Sequence, residues 1–195
     1  MKRFLWLLPL SIVLYACPFE SPVPMEAKPV ETVDTSLIGY WYGIVKDGSD
    51  FFGIEALEIS KDGDSTYDII RYGKTAKGDM ILPDTAHFTG YISYLDGQRY
   101  MNIVSTLVTV TTRKKKEPLV TTTKIFYVAQ FQTRHDTMVV KTITEEFKPR
   151  SKNFRTPDEL KQYVKELNDN HQNIFDDLYS LSYHRIPKPV PLKPM

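Results

Sequence analysis

Tight-turn dipeptides recur so closely along this chain that its strands have to pair antiparallel. Asp47-Gly48, Asp62-Gly63 and Asp96-Gly97 reach positive φ easily, and His135-Asp136 marks another short turn. Between them lie stretches rich in aromatic and β-branched residues, at 37–46, 51–60, 65–72, 87–95, 98–112, 119–134 and 137–147, with a further short strand near 80–82. A parallel pair needs a crossover of a dozen or more residues, and nothing helical separates these segments. The expectation is an all-β domain. About eight sequential antiparallel strands close most simply into an up-and-down barrel, and a two-sheet sandwich is the second choice.

The period changes only near the end. Thr156-Pro157-Asp158-Glu159 is a capping box with proline at the first helical position. Leu160, Tyr163, Val164 and Leu167 follow at i, i+3, i+4 and i+7, while Lys161, Gln162, Lys165 and Glu166 take the wet side. This predicts a C-terminal helix over 157–167 whose apolar stripe is packed on the barrel. Ile174, Phe175, Leu178 and Tyr179 are expected to continue that docking.

The amino terminus has a different character. Lys2 and Arg3 precede an apolar run from Phe4 to Val13, broken only by Ser11. It is too short to cross about 30 Å of hydrocarbon as a helix, which takes roughly 20 residues, and reads instead as a signal peptide over 1–16. Leu14-Tyr15-Ala16-Cys17 resembles the bacterial lipobox, with Tyr15 a less usual occupant of its position. The resemblance implies cleavage before Cys17, a diacylglycerol on its thiol and a further acyl chain on the new amino terminus. At about 0.8 kcal/mol per buried methylene, two or more chains anchor a protein stably to a membrane. Cys17 is the only cysteine, so no disulfide can form within the chain.

Residues 17–36 carry Pro18, Pro22, Pro24 and Pro29 and little to bury. They read as an extended tether, whose stretch 18–36 reaches roughly 55 Å at most at about 3.1 Å per residue. Residues 37–186 form the domain. The proline-rich tail 187–195 reads as a disordered end, or else as a docking peptide for an aromatic groove. Loss of Lys2 and Arg3 takes the 25 basic side chains to 23 against 24 acidic ones, so nothing suggests a nucleic-acid partner.

Leu37-Ile38-Gly39-Tyr40-Trp41 is similar to the first strand of lipocalin-like domains, which carries glycine, any residue, then tryptophan. Several short pieces also resemble a group of small bacterial envelope lipoproteins of uncharacterised function. They are Cys17 with Glu20-Ser21-Pro22-Val23-Pro24, the same Leu37 to Trp41, Tyr100-Met101-Asn102-Ile103, Phe126-Tyr127 leading to Asp136-Thr137-Met138-Val139-Val140, the helix Pro157 to Leu167, and Phe175 with Tyr183-His184-Arg185. The resemblance covers most of the chain after residue 16. It implies a lipocalin-like barrel with a terminal helix and supplies no activity. In lipocalin-like barrels a late arginine packs across the first-strand tryptophan. Arg185 is the candidate for Trp41, unless it is an exposed residue leading into the tail.

Residues suited to chemistry are scattered. His87, His135, His171 and His184 share no ligand-like spacing. Asp62-Gly63-Asp64 lacks the further oxygen ligands and distal glutamate of a calcium loop, and a hairpin turn explains it better. Glu145-Glu146 and Asp176-Asp177 are adjacent, and in a strand such neighbours face opposite sides. No nucleophile elbow or phosphate-cradling glycine loop occurs. Arg113-Lys114-Lys115-Lys116 could meet anionic headgroups, though a solvated hairpin tip that discourages edge pairing is the simpler account. The expectation is a lipid-anchored cell-envelope protein, in the outer membrane because Pro18 is not an aspartate. It has no cofactor and no enzymatic activity. Its barrel binds a small apolar ligand, or it is filled and serves as an accessory module docking an envelope protein. Large lining residues would favour the filled barrel and small ones a cavity.

Overall fold

A computed structural model describes residues 18–47, 50–77, 80–113, 116–144 and 154–188. Cys17, the leader, Glu145-Glu146, Lys114-Lys115 and residues 189–195 lie outside them. The strands are β1 (Gly39–Asp47), β2 (Asp50–Lys61), β3 (Tyr67–Lys77), β4 (Met80–Leu95), β5 (Gln98–Arg113), β6 (Lys116–Arg134), β7 (Thr137–Ile143) and β8 (Phe175–Ile186), with the helix α1 (Pro157–Asp169) between β7 and β8. They form a closed antiparallel barrel in sequence order, sealed where Trp41 on β1 pairs with Arg185 on β8.

The barrel and its packed helix agree with the expectation, but three details differ. The short strand near 80–82 and the one over 87–95 are a single β4, paired with β3 along its whole length as far as Gly90. The helix does not end the domain. It precedes the last strand: Ile174 and Phe175 do pack in the same cluster as Leu160 and Val164, as expected, but Phe175, Leu178 and Tyr179 belong to β8. That strand completes the barrel because β7 and β1 otherwise leave two facing edges of unpaired backbone, and a strand between them satisfies both.

Alternation along each strand sorts side chains into two cores. Inside the barrel, Trp41, Ile59, Tyr67, Ile69, Ile92, Met101, Phe131, Met138 and Tyr183 pack with Leu37. Outside it, α1 lays Leu160 and Val164 against Leu95, Tyr100 and Val128 of β4–β6. Full burial of each of these two aliphatic side chains contributes about 1.5–3 kcal/mol. The cap forms nearly as predicted. Glu159 N–H donates to Thr156 Oγ1 at 3.3 Å, while the Glu159 carboxylate accepts from the backbone N–H of Arg155, one residue earlier than the motif prescribes.

The third difference concerns the proline-rich segment. Residues 18–36 are not a free tether. They form a strap crossing the outer face of β6, β5 and β4 beneath α1. Phe19 N–H donates to Ile143 O, and Ser21 exchanges two backbone hydrogen bonds of 2.9 Å with Phe126 on an edge of β6 that β7 leaves open. Met25 is fully buried, and its N–H donates to Asn102 Oδ1 at 2.7 Å. Tyr91 OH donates to Glu26 O, and Val30 N–H reaches Ile92 O on β4 beyond its last pair with β3. The prolines fall between these donors, so their missing N–H groups cost nothing.

Beyond Val104 the β4 partner of β5 ends, and β5 and β6 run on as a two-stranded arm paired to Arg113 and Lys116. Leu107, Val108, Val110, Leu119 and Val120 on the arm are all exposed.

Candidate functional site

The two ends of the barrel differ. At the end holding the β2–β3, β4–β5 and β6–β7 turns, the interior is filled. Trp41 is fully buried, and its Nε1–H donates to Leu37 O at 2.9 Å. The Arg185 guanidinium lies 4.3 Å from the centre of the Trp41 ring and donates to the carbonyls of Ile38 (2.8 Å) and Ser36. These two residues, paired by the lipocalin-like resemblance, are brought together here. They brace the closed end rather than line a site. Arg99 shares this end, bonded to Asp34 at 3.0 Å and to Glu31 at 2.5 Å, with its guanidinium 4.8 Å from the centre of the Phe131 ring.

Toward the other end the interior opens into a cavity of about 430 Å³. Its walls are Leu57, Ile59, Ile69, Phe88, Met101, Ile103, Ala129, Phe131, Met138, Val140 and Leu181. The large aromatics Trp41 and Tyr67 sit below it, and the medium and small side chains opposite Ala129 leave the space unfilled. Gly90 lets Met101 and Ile69 pack closely over the β4 backbone, because a Cβ there would stand 2.9 Å from Met101 Sδ and 3.0 Å from Ile69 Cδ1.

The mouth carries a polar collar. Arg71 donates through one guanidinium nitrogen to Glu55 at 3.0 Å and through another to Asp84 at 2.5 Å. Tyr183 OH donates to the second oxygen of Glu55. Glycines make the arrangement possible: a Cβ at Gly43 would meet the Tyr183 ring at 3.1 Å, and one at Gly73 would meet an Arg71 guanidinium nitrogen at 3.2 Å. Tyr127 lines the same mouth and donates to Glu20 of the strap at 3.0 Å, and Pro18 closes the ring. Burial, reinforced by the nearby Glu55 carboxylate, pushes the Tyr183 phenol well above its ordinary pKa. Burial and the bond to Glu20 push Tyr127 up to about 12. Burial opposes charge on Arg71, but Glu55 and Asp84 outweigh it and raise its pKa. At neutral pH the two phenols are therefore neutral and Arg71 is a fixed cation, set among the side chains of Glu55, Asp84 and Glu20.

Sequence reasoning did not find Glu55, Arg71, Asp84, Tyr127 or Tyr183. A usable signal was present: Glu55 is in phase with Leu57 and Ile59, and Arg71 with Ile69, so both are charges at inward positions. The histidines lie on separate elements or turns. His87 is on β4, His135 and His171 are turn residues at φ near +54°, and His184 is on β8 beside Tyr42. No group of three metal-ligating side chains occurs among the described residues. Asp62-Gly63 is a turn, closed by Thr66 Oγ1–H donating to Asp62 O at 2.8 Å. No described helix is long and apolar enough to cross a membrane. In comparisons with protein-family models, curated proteins and solved structures, the chain matches none.

Proposed function

We propose that this chain is a lipid-anchored bacterial cell-envelope lipoprotein whose barrel binds a small apolar ligand and carries out no chemistry of its own. The anchor rests on the leader pattern and the lone Cys17 behind it, and outer-membrane placement rests on Pro18. The binding role rests on one observation, the apolar cavity of about 430 Å³ in the upper barrel. That volume lies within the usual range of small-molecule pockets, and apolar walls with a few convergent polar groups are their common composition. A second role, docking an envelope protein, is favoured by the exposed aliphatic residues of the β5–β6 arm.

Native mass spectrometry of protein purified from its own host should find a retained lipid or metabolite. Purified protein stripped of it should bind the neutral apolar dye N-phenyl-1-naphthylamine with enhanced emission. Ala129→Phe, which grows a ring into the cavity, should weaken dye binding about tenfold or more without loss of folding. Equal dye binding by the variant would remove the cavity from the account and leave the arm as the functional surface.

A further inference from the structure

We infer that the cavity takes a single-chain amphiphile with a neutral or cationic head, and that Glu55 and Asp84 at the mouth select against an acidic one. The inference rests on the ligand-carrier reading above and names the ligand class for that same cavity. A molecule whose chain lies among Leu57, Ile69, Phe88 and Ile103 must place its head level with Glu55, Arg71, Asp84 and Tyr183.

Charge at that level is one-sided. Arg71 is the only cation among the described residues lining the cavity, and it is already engaged by Glu55 and by Asp84. The trio carries one net negative charge, and Glu20, held by Tyr127 at the rim, adds another. A guanidinium has five N–H donors, and a carboxylate or phosphate head bonded to the others of Arg71 would stand against the Glu55 and Asp84 carboxylates that already hold it. Drawing Arg71 away from Glu55 instead would strand a carboxylate whose side chain is only 12% exposed. An acidic head thus either meets like charge or breaks a partly buried pair, and both are costly.

A hydroxyl or ammonium head meets the opposite situation. Each carboxylate oxygen has two acceptor positions, and each oxygen of Glu55 accepts one bond here, from Tyr183 and from Arg71. A donor head can add to these oxygens without displacing either, and a cationic head also offsets the surplus negative charge. Single-chain lipids with glycerol, amine or quaternary ammonium heads fit this chemistry, and fatty acids do not.

Displacement of N-phenyl-1-naphthylamine at neutral pH by dodecylamine, monolaurin and laurate, each below its micelle threshold, tests the inference. The amine and the monoglyceride should displace the dye at concentrations about tenfold or more below laurate. In Asp84→Asn, and in Glu55→Gln where it folds, the gap should shrink to about threefold or less. Laurate competing as well as the amine, or a gap unchanged in Asp84→Asn, would overturn the inference and leave the carrier reading standing. Failure of the dye itself to bind would overturn both.

Discussion

A Cβ at Gly39 would stand 2.8 Å from an Arg185 guanidinium nitrogen, and the backbone there holds φ at +138°. The glycine of the first-strand motif thus has a double cause: it takes a conformation closed to L side chains and clears a path for the arginine that covers Trp41. Arg185→Ala removes a guanidinium from an indole face together with two hydrogen bonds to carbonyls. It should cost about 2–3 kcal/mol and shift the emission of Trp41, the only tryptophan outside residues 1–16. Arg155→Ala should do neither, and an unchanged melting temperature in Arg185→Ala would contradict the bracing role. The buried phenols give a second expectation. Burial first, then Glu26, raises Tyr91 to about 12, and Tyr127 is likewise raised to about 12 from the ordinary 10.0. Below pH 10 both folded and unfolded chains keep these protons, so the contribution is intact. Between about 10 and about 12 the unfolded chain releases them first, and stability must fall as pH rises. Denaturant midpoints measured across that range, beside tyrosinate absorbance, should show the loss, and a flat midpoint would refute it.

Elements whose cause is local were legible in the sequence, and elements whose cause is distant were not. The hairpin turns and the capping box each depend on a few neighbouring residues, and the helix runs only two residues past its predicted end at Leu167. β8 depends on the facing edges of β7 and β1, a demand that nothing within residues 175–186 announces. The strap is similar: its prolines and charges suggest solvent, yet Met25 and Phe19 fill a groove between α1 and the sheet. The cavity was illegible for a further reason. Whether a barrel is hollow depends on which side chains the strand registers bring level with one another, such as Ile92, Met101 and Ala129 across β4, β5 and β6, and registers are a property of the closed sheet. The helix itself offers a direct check. Leu160 is 1% exposed against the outer core, so Leu160→Asp should cost about 4 kcal/mol, read as a lowered denaturant midpoint. A midpoint equal to that of the parent protein would mean that α1 contributes nothing to holding the strap.

At the scale of the molecule, the barrel is a cup with a braced floor, an apolar interior and a charged lip, and the β5–β6 arm stands beyond that lip. The proposed anchor predicts that Cys17→Ser abolishes palmitate labelling and leaves the protein in the soluble fraction or retained as uncleaved precursor. Unchanged labelling and membrane association would end the lipoprotein reading. The docked strap changes what such an anchor means. As a free linker, residues 17–36 would have let the domain roam tens of ångströms from the bilayer. With Pro18 fixed at the rim beside Thr144, the attachment atom is one peptide unit away, about 3.8 Å between α-carbons. An anchor at that point would moor the domain by its lip. A lipid could pass between leaflet and cup without crossing open water, and the orientation of the whole molecule would be set by the same residues that border its opening.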